Sequence, residues 1–415
     1  MKKIVFALAL LLSLSMLFTV GSSAYTYNTV WRDSGYDVDP SAYAYTFVAI
    51  GDQQILAYVD AGGSAKEGIT IPSSWKNQNY LDKMYQWIVD NKESKKIEFV
   101  FGLGDVTESI NLDSEWTLAK NASAKLNGVV PYSIARGNHD AADSFRKYFA
   151  SGNKVYRQQF DGSFGDSMMN VYKTVKIKGI NYLMITLNCD PNDSEINWAC
   201  RIIEAHPKHR VIISTHSYLA TGGELANYVT SLKGPNSGVK MWEKLVSKYE
   251  NVFMVLSGHT GYGDRIDYSV KTGVKGNKVH QFLINPQDID LHVKPLGLVA
   301  LFHFSADGES VRVEYYSTLD NKYIKMDKVI DIDPYPYLEE TPPETTAAIT
   351  TAAITTAAET TAAEQTTEAL ETTTLGVSPA DKNGCRSTLF VSVLPVTLFT
   401  GAGAILGRKK VKNKK

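Results

Sequence analysis

Apolar and polar positions recur with two different periods along residues 45–320. Short runs rich in β-branched and aromatic residues predict strands, whereas apolar positions three or four residues apart predict helices. The predicted strands cover residues 45–50, 97–101, 129–134, 171–177, 182–187, 210–214, 252–257, 279–284, 298–304 and 311–316. The predicted helices begin at Ser73 or Ser74 and at Ser114, and cover residues 194–205 and 239–249.

The order of these elements indicates the fold class. Strand and helix signals alternate as far as residue 257, and only strands follow. This order predicts an α/β fold in which sheets pack between helices. The chain has 415 residues, of which 44% are hydrophobic, so a large core is available to a single domain. We expect that domain to cover residues 25–340.

The first 24 residues have the pattern of a targeting segment. Lys2 and Lys3 precede an almost wholly apolar run, and Ser22-Ser23-Ala24 supplies small residues suited to cleavage. A cleaved signal peptide over residues 1–24 is therefore predicted, with an uncleaved membrane anchor as the alternative. Both interpretations imply that the domain is exported.

Composition changes sharply at Thr341. Residues 341–387 are rich in Thr and Ala and lack the apolar side chains that a core needs, which predicts a disordered linker, either glycosylated or bare. Residues 388–407 are apolar and long enough to cross a bilayer, and residues 408–415 form a basic tail expected to stay in the cytoplasm. The sequence thus predicts an ectodomain anchored to a membrane at the cell surface.

A short string inside the apolar segment suggests another kind of anchor. Leu394-Pro395-Val396-Thr397 resembles a sortase sorting signal of Gram-positive bacteria. The next residue is Leu398 rather than Gly, and the string lies within the apolar span. A membrane anchor is therefore the favoured prediction, with attachment to the wall of a Gram-positive cell as the alternative.

Charge and cysteine content add two constraints. The net charge of -1 argues against nucleic-acid binding, which depends on many contacts to phosphates. Cys189 and Cys200 either form a disulfide in an oxidising compartment or are buried thiols, and Cys385 lies far from both in the sequence.

Five short polar motifs, each placed after an apolar run, carry the candidate chemistry. They read Gly51-Asp52-Gln53-Gln54, Gly102-Leu103-Gly104-Asp105, Gly137-Asn138-His139-Asp140, Thr215-His216 and Gly258-His259-Thr260-Gly261. Carboxylates, amide oxygens and imidazoles are the side chains that hold divalent metals. Because ligands gather at the carboxyl ends of strands in α/β sheets, we expect these motifs to converge on one site.

The order of the motifs resembles that of the calcineurin-like metallophosphoesterase superfamily, which includes the purple acid phosphatases. The resemblance covers roughly residues 44–320, and Gly-Asn-His-Asp is its most specific part. It implies a central β-sandwich flanked by helices, with two divalent metal ions bound at the strand ends. Iron, manganese, zinc and calcium are not distinguished by these residues.

The resemblance also implies roles for individual residues. Asp105 would bridge both metals. Asn138, His216 and His259 would complete what we call the second site, and Asp52 would belong to the first site. His139 would lie near the substrate as a proton donor, and Asp140 would orient the His139 ring through its other nitrogen.

Two departures from the family pattern affect the first site. The family has a histidine where this chain has Gln54, and another where it has Gly261. The Gln54 amide oxygen is a candidate ligand, and an amide oxygen suits a hard cation better than zinc. The first site is therefore expected to be weak, differently populated or empty.

Two further residues have alternative interpretations. Arg265, just beyond the last motif, either contacts a substrate phosphate or forms a surface salt bridge. Glu108, three residues after Asp105, either orients a ligand or caps a helix.

The motifs and the export signals together predict a secreted, surface-anchored phosphohydrolase. It would cleave phosphate mono- or diesters of a phosphorylated extracellular substrate through a metal-activated water, with His139 as the proton donor. The alternative is a non-catalytic surface module on the same fold that binds a phosphorylated ligand. His139 and Asp140 favour the enzyme, because a binding module has little need of a proton donor.

Overall fold

A computed structural model describes Tyr27 and residues 29–337 of the chain. The predicted signal peptide (residues 1–24), linker (341–387), apolar segment (388–407) and basic tail (408–415) lie outside these residues, as do residues 338–340 of the predicted domain. Within the described part, no helix has both the length and the apolar character needed to cross a bilayer.

The secondary structure follows the predicted alternation. The strands are β1 (Tyr45–Ile50), β2 (Ala65–Lys66), β3 (Ile69–Thr70), β4 (Ile97–Gly102), β5 (Tyr132–Ile134), β6 (Gly162–Ser163), β7 (Val171–Ile177), β8 (Ile180–Thr186), β9 (Arg210–Ser214), β10 (Val252–Ser257), β11 (Asp267–Thr272), β12 (Lys278–Leu283), β13 (Leu298–Phe304), β14 (Ser310–Ser317) and β15 (Lys322–Asp331). The α-helices are α1 (Gln54–Asp60), α2 (Tyr80–Asp90), α3 (Asp113–Ser123), α4 (Ala142–Phe145), α5 (Lys154–Gln158), α6 (Asp193–Ala205), α7 (Gly238–Lys244) and α8 (Gln287–His292).

Most strands belong to two large sheets. The first sheet has the order β15-β14-β13-β1-β4-β5, and the second has the order β11-β12-β10-β9-β8-β7-β6. Strands β1, β4 and β5 are parallel to one another, as are β8, β9, β10 and β12. Parallel strands end at a common edge, so the loops that carry the polar motifs leave each sheet on one side.

The two sheets pack face to face. Side chains alternate along a strand, so Tyr45, Phe47 and Ala49 of β1 point to the same face. They share a buried cluster with Tyr182 and Met184 of the second sheet. Phe47 and Tyr182 meet edge to face with ring centroids 5.3 Å apart. This aromatic layer holds the sandwich together.

Helices cover the outer faces of both sheets. Val48 and Ile50 of β1 pack against the apolar face of α2 and against α3. Leu183 and Ile185 of β8 pack against α6 and α7. The mixed α/β fold, with two sheets packed between helices, confirms the predicted fold class.

The structure differs from the predicted elements in a few places. The helix expected from Ser73 or Ser74 begins at Tyr80, because Asn79 adopts a left-handed conformation (φ 59°) that interrupts the helix. The strand expected over 129–134 is limited to Tyr132–Ile134, since Pro131 has no N–H to donate to a neighbouring strand. Strands β2, β3, β6, β11 and β15 and helices α1, α4, α5 and α8 were not predicted, and α8 interrupts the run of strands that was expected after residue 257. Cys189 and Cys200 are free thiols, as in the second of the two alternatives, although only Cys189 is buried and Cys200 is partly exposed.

The packing of the two sheets can be tested by truncating Phe47. We expect Phe47→Ala to lower the free energy of unfolding by about 3–5 kcal/mol, because it leaves a cavity between the sheets. Urea denaturation measures this loss. Val274→Ala is the control, because Val274 is 71% exposed and its truncation should cost little. Equal stability of the two variants would contradict the described core.

Candidate metal centre

Glycines at the strand ends let the motif loops approach one another closely. Gly137 follows β5, and a Cβ at this position would lie 2.1 Å from the backbone nitrogen of Asp105. Gly258 follows β10, and a Cβ there would lie 2.2 Å from a carboxylate oxygen of Asp52. Neither position has room for a side chain, so Gly137 lets two loops of the first sheet meet, and Gly258 lets a loop of the second sheet reach the first.

The four residues predicted for the second site lie together. One ligand atom from each of Asp105, His216 and His259 falls within 4.8 Å of the other two. Asn138 Oδ1 is 3.1 Å from His216 Nε2. Asp105 and His216 are buried, and His259 is partly buried. A carboxylate, an amide oxygen and two imidazoles therefore converge at the edge where the sheets meet.

The hydrogen bonds of His216 indicate how its ring is used. Nδ1 lies 2.8 Å from the Leu103 carbonyl oxygen, which can only accept, so Nδ1 carries a proton. Nε2 faces Asp105 Oδ2 at 3.2 Å and Asn138 Oδ1 at 3.1 Å. A ring nitrogen surrounded by oxygen atoms and fixed through its other nitrogen is the usual arrangement of a metal-binding histidine.

The electrostatics of the second site also favour a cation. Burial opposes the charged imidazolium, but the carboxylates of Asp105 and Asp52 outweigh burial and raise the pKa of His216 to about 10. Burial and the neighbouring His216 charge lower the pKa of His259 to about 4. The site thus holds one positive charge against its carboxylates, and its donor set fits a divalent metal.

The first-site residues are arranged differently from the expectation. Both carboxylate oxygens of Asp52 lie 3.0 Å from the backbone nitrogen of His259, which donates to them. Gln54 was predicted to offer its amide oxygen to a metal, but it directs its amide nitrogen to Asp105 Oδ2 at 3.2 Å. The same nitrogen donates to Gln287 Oε1 at 2.5 Å. Gln287 belongs to no recognisable motif, and it lies 233 residues from Gln54 in the sequence.

His139 lies beside the second site. Its backbone N–H donates to Asp105 Oδ1 at 2.9 Å, and its Nδ1 is 3.1 Å from the Glu108 carbonyl oxygen. The side chain is 32% exposed, so the ring is accessible to a ligand. Because the carbonyl only accepts, Nδ1 is protonated, and proton exchange with a substrate falls to Nε2.

The expected role of Asp140 needs correction. The carboxylate of Asp140 does not orient the His139 ring. It accepts hydrogen bonds from the backbone N–H groups of Val106, Thr107 and Gly137 at distances of 2.8–3.1 Å. Several N–H donors that converge on a buried carboxylate satisfy it better than one imidazole does. Asp140 therefore fixes the loop that carries Asp105.

Glu108 performs the task that was expected of Asp140. Its carbonyl oxygen contacts the His139 ring, and its Oε1 lies 3.6 Å from His139 Nδ1. The same carboxylate forms an ion pair with Lys66 of the β2–β3 hairpin. Glu115 accepts the backbone N–H of Glu108 at 2.7 Å and holds the loop in place. The sequence carries no signal for the Lys66 contact.

Arg265 forms the surface interactions of its alternative interpretation. Its guanidinium pairs with Asp267 at 3.3 Å and stacks on the Tyr262 ring at 3.6 Å from the centroid. The side chain is about half exposed.

Comparison with known proteins identifies the family. The sequence profile of the calcineurin-like phosphoesterases matches residues 45–263, more than half of the chain. The chain belongs to the calcineurin-like phosphoesterase family. Members of this family are metal-dependent hydrolases of phosphate esters, and the second site lies within the matched residues.

Individual relatives of this calcineurin-like phosphoesterase are distant. YvnB of Bacillus subtilis (strain 168), an uncharacterized protein, is 26% identical over 310 residues, which cover 72% of this chain and 21% of that protein. The chain thus spans about a fifth of that relative's length.

Two solved structures resemble the fold. The purple acid phosphatase PPD1 from yellow lupin (Lupinus luteus) seeds is 13% identical, with a TM-score of 0.42, and the match covers 69% of this chain and 53% of that one. The sulfate thiohydrolase SoxB of Thermus thermophilus is 12% identical, with a TM-score of 0.39, and the match covers 69% and 58% of the two chains.

Proton release on metal binding tests the assigned state of His216. With a pKa of about 10, the metal-free imidazole is charged at neutral pH, and a metal that takes Nε2 must displace its proton. We expect affinity for Mn²⁺ to rise by about tenfold per pH unit below that pKa, because one proton is released.

Calorimetric titration in buffers of different ionisation enthalpy measures the release. The His216→Asn variant is the control. It should bind Mn²⁺ more weakly and release no proton. A binding heat independent of buffer in the unsubstituted protein would contradict the assignment.

Proposed function

We propose that this chain is an exported, surface-anchored, metal-dependent phosphohydrolase that cleaves phosphate mono- or diesters. The observation that carries the proposal is the convergence of Asp105, Asn138, His216 and His259 beside the accessible ring of His139. These are metal-binding side chains next to a proton donor, within the residues matched by the phosphoesterase family. A module that only binds a ligand has no need of a proton donor.

The residues of the site divide the chemistry between them. Asp105, Asn138, His216 and His259 would hold a divalent ion, which supplies an activated water and neutralises charge on the phosphoryl oxygens. His139 gives a proton from Nε2 to the leaving oxygen, while its Nδ1 is held by the Glu108 carbonyl.

Export and anchoring rest on the sequence of the two ends of the chain. Residues 1–24 carry the signal-peptide pattern, and residues 388–415 carry the apolar segment with its basic tail. A substrate reached by such a protein is a phosphorylated compound outside the cell. The membrane is its second partner, through the C-terminal segment.

Substitution of His139 tests the catalytic proposal. We expect His139→Ala to lower kcat by about two to four orders of magnitude, because the leaving oxygen loses its proton donor, while the second site still binds Mn²⁺. The measurement is hydrolysis of chromogenic phosphate mono- and diesters by the full chain in the presence of Mn²⁺ or Zn²⁺.

Two further variants make the result specific. His216→Ala should lose both metal and turnover, whereas His292→Ala, at an exposed histidine of α8, should behave like the unsubstituted protein. If the unsubstituted chain binds metal and yet cleaves neither kind of ester, the non-catalytic module becomes the better interpretation.

Cell fractionation tests the proposed location. The full chain should be recovered with the membranes, because residues 388–407 would hold it there. Deleting residues 388–415 should release the protein into the medium in folded form. Recovery of the intact chain from the medium would contradict the anchor, and release only by wall-degrading enzymes would favour the sorting signal.

A further inference from the structure

An amide pair lies at the position where the family pattern has the first site. Gln54, at the start of α1, is almost fully buried and directs Nε2 to Asp105 Oδ2 at 3.2 Å. The same nitrogen donates to Oε1 of Gln287, the first residue of α8, at 2.5 Å. Two glutamines from distant parts of the sequence therefore meet beside the carboxylate that is expected to bridge two metals.

The surroundings of Asp105 show what the pair does. Oδ2 of Asp105 lies between Gln54 Nε2 and His216 Nε2, each 3.2 Å away. Oδ1 accepts the backbone N–H of His139 at 2.9 Å. One side of Oδ2 thus faces the second site, and the other faces an N–H donor. A cation on that other side would compete directly with the amide hydrogens.

The opposite wall of the first site lacks the histidine of the family pattern. Gly261 stands where the family has a histidine, with a φ of 149°, and a Cβ there would lie 3.3 Å from Asn285 Cβ. Asn285 Oδ1 accepts the backbone N–H of Gln287 at 2.9 Å and so fixes the glutamine pair. Asn285 therefore contacts both Gly261, which replaces the histidine, and Gln287, which belongs to the amide pair.

Asp52 alone does not restore the first site. Its two carboxylate oxygens are held by the backbone N–H of His259. In the described part of the chain, the single converging group of three carboxylate, imidazole or thiol ligands is Asp105, His216 and His259. Asp52 and the bridging Asp105, with no third carboxylate, imidazole or thiol of the described residues converging on them, are a poor fit to a second divalent ion.

We propose that the Gln54–Gln287 amide pair replaces the cation of the first site, and that this chain holds one divalent ion, at the second site. The amide N–H supplies partial positive charge to Asp105 Oδ2 in place of a metal. Turning the Gln54 amide over would put two oxygens 3.2 Å apart at Asp105, which only a cation would make favourable. This inference rests on the proposed function, because it concerns the metal content of the same site.

Titration of the full, metal-free chain with Mn²⁺, followed by electron paramagnetic resonance, tests the proposal. We expect one bound ion per chain, with the spectrum of an isolated Mn²⁺. Gln54→Glu replaces the amide donor by a carboxylate of the same shape, and we expect it to bind a second ion that is magnetically coupled to the first. Gln158→Glu makes the same change at an exposed glutamine and should keep one isolated ion.

The outcomes separate this inference from the proposed function. Two coupled ions in the unsubstituted chain would overturn the inference, whether or not the chain cleaves phosphate esters. One ion without turnover would support the inference and count against the hydrolase. A folded Gln54→Glu variant that still binds one ion would also overturn it, because the amide would then not be what excludes the second. If that variant fails to fold, the unsubstituted spectrum alone decides.

Discussion

The buried carboxylate of Asp105 is the constraint around which the site is built. A buried charge is costly unless hydrogen bonds or opposite charges surround it. Asp105 has the His139 N–H on one oxygen, with Gln54 and His216 on the other. The loops from both sheets must approach closely for these contacts, and Gly104 permits this because a Cβ there would lie 2.6 Å from His216 Nδ1. The motifs combine glycines with polar residues because the loops approach one another too closely to leave room for more side chains.

The fold was predictable where strands are buried on both faces. Strands β1, β9 and β10 match the predicted ranges residue for residue, because they lie between the opposite sheet and a layer of helices. Strand β11 was missed because it is partly exposed and polar, and its pairing with β12 is a tertiary interaction. The start of α2 was missed because Asn79 adopts a left-handed conformation that apolar periodicity does not record.

The candidate site was predictable as far as its motifs reach. Asp105, Asn138, His216 and His259 follow strand ends, so sheet topology brings them together. Gln287 lies 233 residues from its partner Gln54, and the local sequence around either residue does not predict that contact. The support of the His139 ring was assigned to Asp140 because the two are adjacent in sequence, but the Glu108 carbonyl oxygen contacts the ring, and Asp140 accepts backbone N–H groups instead.

The proposed chemistry depends on four side chains at the junction of the two sheets that would bind a divalent ion. The most direct measurement is the anomalous scattering of Mn²⁺ in crystals of the protein soaked with that ion. We expect a peak in contact with Asp105, Asn138, His216 and His259. A peak bound elsewhere, or none at these residues when the protein is saturated with Mn²⁺, would contradict it.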